Sequence, residues 1–408
     1  MLSLKIAFRY LFSKKTTNAI NIISGVSMLG MGVGAFALIV VLSVFNGFEG
    51  LVTSLYNSFY PDIEITAAKG KSFTDDAQFQ TKIQGIQSIA AFSKTLEENA
   101  YLKYGDKDYI GTIKGVDENY NQVSAVEKQV KEGEFLLKDS VLNYAVIGAN
   151  IFSALNINIE QGILPLQITV PKKGIATVLM AEDAFIIREV VPSGVFSIQQ
   201  EFDSKYVFVS LDLAQELTGE ENQISAYEIK LKEGVSAESE KEKIQQLVGN
   251  GFLVKTRYEQ KQTLYRVMKM ERWAVYAILS FIMLIISFNI VGSLSMLVIE
   301  KTRDISILKT MGADNKMIQQ VFLLEGVLSA TIGAGIGIFL GFILCLLQLK
   351  YGFIKLSNGD NSFVVQSYPI VMKFGDFLLT FITVVFIAFV ASYIPAKRAS
   401  ESVLKFKE

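Results

Sequence analysis

Four stretches of this 408-residue sequence carry no Asp, Glu, Lys or Arg and are each long enough to cross a bilayer. A helix needs about 20 apolar residues to span the hydrocarbon core, which is roughly 30 Å thick. Because a helix satisfies its own backbone hydrogen bonds there, the stretches predict four transmembrane helices. The first is longer than a signal-peptide core, so we expect a retained anchor. The stretches are residues 19–48, 274–299, 326–349 and 377–396.

The composition agrees with a membrane protein and excludes several kinds of chemistry. Apolar residues make up 50% of the chain and charged residues 19%, with a mean hydropathy of +0.36. The absence of histidine excludes a Ser-His-Asp or Cys-His catalytic system and His-ligated zinc or haem. Cys345 is the only cysteine, the net charge is −1, and no phosphate-binding Gly-x-x-x-x-Gly-Lys-Ser/Thr loop is present. We expect no catalytic residue, no metal site and no nucleic-acid partner.

Lysine and arginine near the spans predict their orientation, because positive charge collects on the cytoplasmic side of a membrane. Both ends of the chain and the 300–325 loop are rich in these residues, whereas the 350–376 loop holds few. Both termini are therefore expected in the cytoplasm. The cytoplasmic set is Lys5, Arg9, Lys14, Lys15, Lys301, Arg303, Lys309, Lys316, Lys397, Arg398, Lys405 and Lys407.

The long insert after the first span has a mixed pattern of strands and helices. Residues 62–66 alternate like a strand, and 101–104 and 108–114 flank Gly105 like a hairpin. Residues 75–86 and 237–248 are typical of amphipathic helices, and the latter lies between strand-like segments at 226–232 and 252–256. A polar helical pattern at 258–273 predicts a stalk that continues into the second span, and the alternative is an ordinary loop.

The predicted fold class is a polytopic α-helical membrane protein with four transmembrane helices and a large mixed α+β extracytoplasmic domain between helices 1 and 2. Its segments are an interfacial helix at 1–18, the first span at 19–48, the outer domain at 49–257, a stalk with the second span at 258–299, a cytoplasmic loop at 300–325, the third span at 326–349, an outer loop at 350–376, the fourth span at 377–396 and a cytoplasmic tail at 397–408.

Small residues recur at four-residue intervals in two of the spans. The third span has Ser329 followed by three glycines, and the first span has two glycines. This spacing favours close approach by a second helix, although glycine is also common in membrane helices generally. The predicted packing positions are Gly30, Gly34, Gly333, Gly337 and Gly341.

The cytoplasmic loop predicts a short charged helix followed by a turn. Gly312 supplies a stop, and Asp314 is placed to cap the next helix. An exposed helix that shows Ile305, Leu308 and Met311 fits either a groove on a cytoplasmic partner or the lipid headgroups. Within the spans, Asn289 is expected to be the only strongly polar group at depth. A transport pathway for ions would need buried charge, so any work done here is powered from elsewhere.

Five motifs resemble the LolC/LolE lipoprotein-releasing permeases, within the superfamily that includes MacB-type and FtsX-type proteins. They are Phe-Arg-Tyr-Leu at 8–11, Ile-Ser-Gly-Val-Ser at 23–27, the apolar run at 38–48, the charged segment at 300–313 and Tyr-Ile-Pro-Ala-Lys-Arg-Ala-Ser at 393–400. The order of the spans and the length of the insert are also similar to that family.

The resemblance implies a membrane subunit of an ABC transporter in the bacterial inner membrane, with its large domain in the periplasm. This chain would bind no cofactor, because ATP and Mg would bind to a LolD-like partner ATPase in the cytoplasm. The chain would pair with a second copy or a paralogue, extract lipoproteins from the outer leaflet, and pass them to a LolA-like periplasmic carrier. The implied ATPase-coupling residues are Glu300, Arg303, Asp304, Ile305, Leu308, Met311 and Gly312.

Two further sites follow from the resemblance. A cleft between the first and second spans would hold the lipoprotein, and a hairpin at 171–188 would grip the carrier. The hairpin middle is apolar, which suits a binding element, but a buried strand pair is an equally simple reading. The implied cleft residues are Val41, Phe45, Phe48, Met268, Tyr276 and Leu279, and the implied hairpin residues are Val178, Leu179, Met180, Phe185 and Ile186.

Two other functions remain open from the sequence. A MacB-like export subunit would work with a separate ATPase and pump periplasmic substrates. An FtsX-like scaffold would transmit the state of an ATPase to a cell-wall hydrolase and move nothing. The partner of the outer domain distinguishes the three, because it would be a lipoprotein carrier, an adaptor or a hydrolase.

Overall fold

The computed structural model describes residues 2–12, 18–159, 164–172, 184–355 and 367–401. Contacts between residues divide the chain into two compact units. The helical unit contains Met1–Leu51 and Arg266–Glu408, and the insert domain contains Val52–Tyr265.

Helices make up most of the helical unit and also cover the strands of the insert domain. A single 3-10 turn is described at Glu127–Gln129. The described α-helices, in chain order, are α1 (Leu2–Phe12), α2 (Asn18–Phe59), α3 (Ala77–Gln84), α4 (Tyr120–Val123), α5 (Ala149–Leu155), α6 (Gln200–Asp203), α7 (Leu211–Thr218), α8 (Ala237–Val248), α9 (Arg257–Gln260), α10 (Gln262–Glu300), α11 (Thr302–Thr310), α12 (Asn315–Tyr351) and α13 (Phe374–Glu401).

All described strands longer than an isolated bridge lie in the insert domain. In chain order they are β1 (Ile63–Ala67), β2 (Phe73–Thr74), β3 (Ile89–Tyr104), β4 (Lys107–Val116), β5 (Val130–Gly133), β6 (Tyr144–Gly148), β7 (Leu166–Pro171), β8 (Phe185–Phe196), β9 (Tyr206–Ser210), β10 (Gln223–Ile224), β11 (Ala226–Leu231) and β12 (Phe252–Thr256).

Among the described helices, α2, α10, α12 and α13 are long and apolar enough to cross a membrane. Each contains one of the four charge-free stretches. Three of them extend well beyond their stretch, and α12 does so by beginning at Asn315. Helix α2 continues past residue 48 to Phe59, an extension of roughly 16 Å at 1.5 Å per residue. Helix α10 begins at Gln262, before its stretch.

The predicted stalk is shorter than its polar pattern indicated. Helix α9 ends at Gln260, and Lys261 leaves the helical conformation with φ −129° and ψ 42°. A new helix then starts at Gln262 and runs without a break into the second charge-free stretch. The helical pattern at 258–261 therefore belongs to a separate turn, and the continuous stalk begins at Gln262.

Glycines bring α2 close to both α10 and α12. A Cβ atom added to Gly337 would collide with the carbonyl oxygen of Gly32, and one on Gly333 with the carbonyl of Met28. On α2, a Cβ on Gly30 would lie 2.6 Å from Ile286, and one on Gly34 would lie 2.5 Å from Met283. A Cβ on Gly341 would lie 3.2 Å from Ile39.

The core of the helical unit forms where these helices meet. Met31, Leu38, Met283, Leu294 and Phe322 are buried there. The amphipathic helix α1 also packs on this unit, since the Tyr10 and Phe322 rings lie 6.3 Å apart. Helix α1 therefore buries one face against protein rather than lying wholly on the membrane surface.

The insert domain is built on a ten-stranded mixed sheet. Its order is β12-β1-β11-β3-β4-β9-β6-β8-β5, and β7 pairs with both β3 and β8. The β4–β9 and β6–β8 pairs are parallel, and the other pairs in the sheet are antiparallel. A small second sheet pairs β10 with β2.

Two features of this sheet follow the sequence pattern. The turn between β3 and β4 contains Gly105 with φ +58°, as the hairpin pattern predicted. Strands β11 and β12 do not pair with each other, because β1 lies between them and pairs antiparallel with both. The strand–helix–strand segment at 226–256 is therefore a split unit whose helix, α8, connects two strands separated by a third.

We predict that replacing Gly337 by alanine loosens the α2–α12 contact, because the added methyl group meets a backbone carbonyl that cannot move alone. Overpacking of this kind costs about 1–3 kcal/mol. The midpoint of thermal unfolding in detergent should fall by several degrees. Gly335 is the matched control on the same helix, since nothing lies within 4 Å of a Cβ there. Equal midpoints for the two variants would contradict the contact.

Candidate functional site

The cytoplasmic loop folds into α11, but the exposed face differs from the expected one. Ile305 is 0% exposed and belongs to the core of the helical unit. Leu308 is half-buried, and Met311, just past the helix, is 79% exposed. The prediction that Ile305 is displayed is therefore wrong, because helical periodicity turns that position toward the protein.

Sequence reasoning missed Ile307, which is 50% exposed. Arg303, Ile307 and Met311 follow each other at four-residue intervals, so they lie along one side of the segment. That spacing was the available signal. The exposed cation and the two exposed apolar side chains that follow it form a small surface. We call these three residues the α11 face.

Contacts at both ends hold α11 against the rest of the helical unit. The Lys309 ammonium donates a hydrogen bond of 2.9 Å to the carbonyl oxygen of Ser400 near the end of α13. The Lys301 ammonium lies 3.6 Å from the Asp304 carboxylate and 5.5 Å from the centre of the Tyr10 ring. The α11 segment is therefore connected to α1 and α13 through direct contacts.

The end of α11 and the start of α12 follow the predicted signals. Gly312 has φ +95°, a conformation that only glycine adopts easily. The Asp314 carboxylate accepts a hydrogen bond of 2.8 Å from the backbone N–H of Met317, which caps α12. Glu300 is the last residue of α10. The turn between α11 and α12 is thus defined by local chemistry.

Of the six implied cleft residues, one is exposed and five are half-buried. Tyr276 and Leu279 pack against the core of their own unit, and the Tyr276 hydroxyl lies 2.6 Å from the Thr383 hydroxyl oxygen on α13. Val41, Phe45 and Met268 are half-buried, and Phe48 is exposed. Tyr276 and Leu279 are therefore turned partly toward their own unit.

The open apolar face of α10 is offset from those two residues. Of the four candidate spans, α10 has the smallest buried share, 17% against 33–44% for the others. Asn289, the polar group expected at depth within the spans, is also on the exposed side of α10. The exposed apolar residues of α10 before Asn289 are Val267, Met270, Trp273, Ile278, Phe281, Ile282, Leu284, Ile285 and Phe288.

Within the insert domain, one carboxylate joins the end of α2 to the start of α10. The Glu201 carboxylate accepts a hydrogen bond of 2.8 Å from the Tyr56 hydroxyl on α2. It also accepts one of 2.6 Å from the Lys261 ammonium, which immediately precedes α10. Burial opposes ionisation, but these two donors outweigh it and lower the pKa of Glu201. The two helix ends are therefore linked inside the domain.

The last residue of α2 also contacts a buried charge cluster. The Lys114 ammonium lies 2.7 Å from Glu228, 3.1 Å from Glu97 and 4.7 Å from the centre of the Phe59 ring. Burial alone would lower the pKa of Lys114, but Glu228 and the groups around it raise it well above its usual value. Lys114 is therefore a cation held between carboxylates and an aromatic ring.

A second glutamate faces this cluster, and among the described residues no ion pair within 4.0 Å includes it, although Lys255 lies opposite it on β12. Glu64 on β1 lies opposite Glu228 in the β1–β11 register. Removal from water, followed by the Glu228 charge, raises the pKa of Glu64 to about 7. Like charges directly opposite each other across a strand pair are destabilising.

The base of the predicted carrier hairpin is described, but its tip is not. Strands β7 and β8 pair antiparallel, and the Lys172 N–H donates 2.8 Å to the Ala184 carbonyl at the last described rung. Phe185 is exposed, whereas Ile186 packs against the core of the insert domain. Val178, Leu179 and Met180 lie outside the described residues.

An exposed apolar row crosses four strands beside this hairpin. Ile110 pairs with Tyr101, Tyr101 with Thr169, and Thr169 with Ile187. Residues directly opposite each other share a face of the sheet. Ile110 is 77% exposed, and Tyr101 and Ile187 are also exposed. We call these four residues the sheet row.

Comparison with known proteins decides the family. A model described as MacB-like periplasmic core domain matches residues 24–247, more than half of the chain. A model described as FtsX-like permease C-terminal matches residues 276–403. The chain belongs to the MacB- and FtsX-like permeases. It is thus a membrane permease with a periplasmic domain, which implies the inner membrane.

Individual relatives support a narrower similarity. The chain is 25% identical over 406 residues to the lipoprotein-releasing system transmembrane protein LolC of Buchnera aphidicola, covering 97% of this permease and 96% of that protein. It is 27% identical over 429 residues to LolE of Haemophilus influenzae, with 97% and 96% covered. The resemblance to LolC/LolE permeases, first indicated by the motifs, is confirmed.

Several solved structures are also similar to part of the chain. The periplasmic region of MacB from Actinobacillus actinomycetemcomitans aligns at 15% identity with a TM-score of 0.36, covering 52% of this permease and 94% of that chain. A likeness this weak supports no further inference about the permease.

We predict that replacing Glu64 by glutamine stabilises the insert domain at pH 8. The unfolded chain ionises Glu64 near pH 4.5 and the folded chain near 7, so the folded state holds an extra proton between these values and loses stability as the pH rises. Glutamine cannot ionise, so it removes this loss. Thermal unfolding of the full chain at pH 8 and at about pH 4.5 measures the effect.

The gain should be present at pH 8 and absent at the lower pH. The exposed Glu233 provides the control, since Glu233→Gln should change stability little at either pH. A pH-independent effect of Glu64→Gln would show that the charge of Glu64 does not oppose folding.

Proposed function

We propose that this permease is a transmembrane subunit of an ABC transporter that extracts lipoproteins from the outer leaflet of the inner membrane and passes them to a periplasmic carrier. ATP hydrolysis by a separate cytoplasmic ATPase, which binds ATP and Mg, supplies the energy. The similarity to LolC and LolE along 97% of the chain is the observation that carries this proposal. Both termini lie in the cytoplasm in this arrangement.

The α11 face is the contact for the ATPase. It offers Ile307 and Met311 as exposed apolar side chains and Arg303 as a cation beside them. Apolar and arginine side chains are typical anchors of protein interfaces. Of the other implied coupling residues, Asp304 pairs with Lys301 at the start of the helix, Gly312 permits its turn, and Ile305 seats it on the core.

Helices α2 and α10 carry the motion outward. Each is one unbroken helix that reaches from its charge-free stretch into the insert domain. Helix α2 ends with Phe59 beside the Lys114 cluster, and Glu201 joins Tyr56 to Lys261 at the start of α10. The insert-domain ends of both helices are therefore held by side-chain contacts within that domain.

An apolar cargo suits the surfaces of these helices. The charge-free stretches offer acyl chains no charged contact, and α10 has the smallest buried share of the four candidate spans. Phe48 at the outer part of α2 is exposed as well. A second permease subunit, a copy or a paralogue, completes the cleft together with membrane lipid.

The sheet row and the 171–188 hairpin form the proposed carrier surface. Exposed apolar side chains at Tyr101, Ile110, Phe185 and Ile187 lie on strands that reach the base of the hairpin. Contiguous apolar groups on a soluble surface commonly mark binding sites for other proteins. A lipoprotein carrier is the partner that fits the proposed release reaction.

Reconstitution tests the proposal directly. The permease and its co-purifying ATPase are placed in liposomes loaded with a lipoprotein, and ATP and a lipoprotein-binding carrier are added. Lipoprotein should appear in the soluble fraction only when both are present, and a non-hydrolysable ATP analogue should not replace ATP. If ATP and carrier release no lipoprotein, the proposed function is wrong. Binding of an adaptor would then favour the MacB-like export subunit, and binding of a hydrolase would favour the FtsX-like scaffold.

The same assay tests the carrier surface. Ile187→Asp should lower transfer to the carrier while leaving ATP hydrolysis unchanged. Leu142→Asp is the matched control, because Leu142 is an equally exposed leucine of the insert domain outside the sheet row. If both variants transfer normally, the sheet row is not part of the carrier surface.

We predict that Ile307→Asp separates coupling from folding. Loss of an interface anchor costs about 2 kcal/mol or more, so ATPase co-purification should weaken at least roughly tenfold. The thermal midpoint should stay unchanged, because Ile307 is exposed. Ile305→Asp should do the opposite and lower the midpoint strongly, because it places a charge in the core. Normal ATPase binding by Ile307→Asp would remove the α11 face as the contact.

A further inference from the structure

One carboxylate of the helical unit is buried at the start of α13. Asp376 lies in the first turn of α13 and is 3% exposed. The sequence places it at the last position of the predicted outer loop, where a solvated side chain would be expected. Its position at a helix N-terminus is favourable for a negative charge. That favourable position alone does not explain why a carboxylate is removed from water.

Two side chains from other helices bind this carboxylate. The Arg272 guanidinium on α10 donates to one carboxylate oxygen at 2.6 Å. The Asn46 amide on α2 donates to the other at 2.5 Å. Asn46 is itself buried, and it lies near the outer end of the first charge-free stretch. Three helices therefore meet at one ion pair.

The chain before α13 strengthens the same junction. The Asn46 amide also donates to the Val371 carbonyl at 3.2 Å, and the Val371 N–H donates to the Ser43 carbonyl at 3.0 Å. Gly47 leaves no room for a Cβ beside the Pro369 carbonyl. Backbone and side-chain contacts thus hold the segment leading into α13 along one face of α2.

Arg272 lies at a point on α10 where its ion pair restricts the motion of that helix. Arg272 lies where the polar stalk of α10 meets the charge-free stretch that starts at residue 274. A buried carboxylate separated from its cation would be left uncompensated, which is strongly unfavourable. Motion of α10 that keeps Arg272 on Asp376 is therefore favoured over motion that separates them.

We propose that Asn46, Arg272 and Asp376 are positioning residues that join the outer ends of α2, α10 and α13 into one rigid block. The block moves as a unit during ATP turnover, so that a push on α11 reaches both stalk helices together. This inference rests on the proposed function and adds the residues that transmit its motion.

The block is tested by removing the charge of Asp376 and by restoring the ion pair in reverse. Asp376→Asn keeps the shape of the side chain and removes its charge. ATP hydrolysis should persist, while lipoprotein released per ATP should fall about tenfold. The double variant Arg272→Asp with Asp376→Arg restores an ion pair and should recover most of the ratio. Equal release per ATP in Asp376→Asn and the unchanged protein would overturn the proposal.

A neighbouring exposed pair provides the matched control. Lys373 and Glu49 also join the segment before α13 to α2, at 3.5 Å, but both side chains are largely exposed. Exposed ion pairs contribute little. Lys373→Gln should therefore leave release per ATP unchanged. A loss equal to that of Asp376→Asn would show that any charge change here acts nonspecifically.

A distance measurement separates this inference from the proposed function. Spin labels on the exposed Met270→Cys and Phe374→Cys sites, in a Cys345→Ala background, report the α10–α13 distance in the complex with its ATPase. The distance should be the same without nucleotide and in the vanadate-trapped state, and should differ between states in Asp376→Asn. If the α10–α13 distance changes between nucleotide states in the protein that keeps Asp376, the junction opens and the inference is wrong, whether or not lipoprotein is released.

Discussion

The need of backbone amides for partners inside a bilayer determines most of this structure. Hydrocarbon offers no water to a free N–H or C=O, so each crossing segment must be a helix without a break. Helix α2 continues past its apolar stretch into residues of the insert domain, and α10 begins at Gln262, before its own stretch. The helical conformation required in the membrane is therefore kept beyond the apolar residues.

Stiffness alone would not transmit motion, because a helix must also be held at both ends. The insert domain holds α2 through Tyr56 and Phe59, and Glu201 links that end to Lys261 before α10. In the helical unit, glycines let α2 approach α12 and α10 closely, and Asp376 draws α2, α10 and α13 together. Shape complementarity and one buried ion pair act on the same helices.

Charged side chains are distributed unevenly between the surfaces of the spans and the ends of the helices. The lipid-facing surfaces are uncharged, which suits contact with acyl chains, whereas the cations and carboxylates of the helical unit concentrate at helix ends. In the insert domain, Lys114 is buried beside Glu228, and Glu64 faces them with a raised pKa. Folding tolerates that cost because the surrounding strands bury a large apolar core.

The sequence by itself determined the four charge-free stretches, the hairpin at Gly105, the end of α11 at Gly312 and the family, because these depend on local composition, periodicity and motif. Only the tertiary structure decided that Ile305 is buried and Ile307 exposed, that Tyr276 and Leu279 face their own unit, and that α10 starts at Gln262. It also decided that Asn46, Arg272 and Asp376 meet. Those outcomes depend on which neighbour each helix face finds, and residues separated by hundreds of positions come together only when the helices pack.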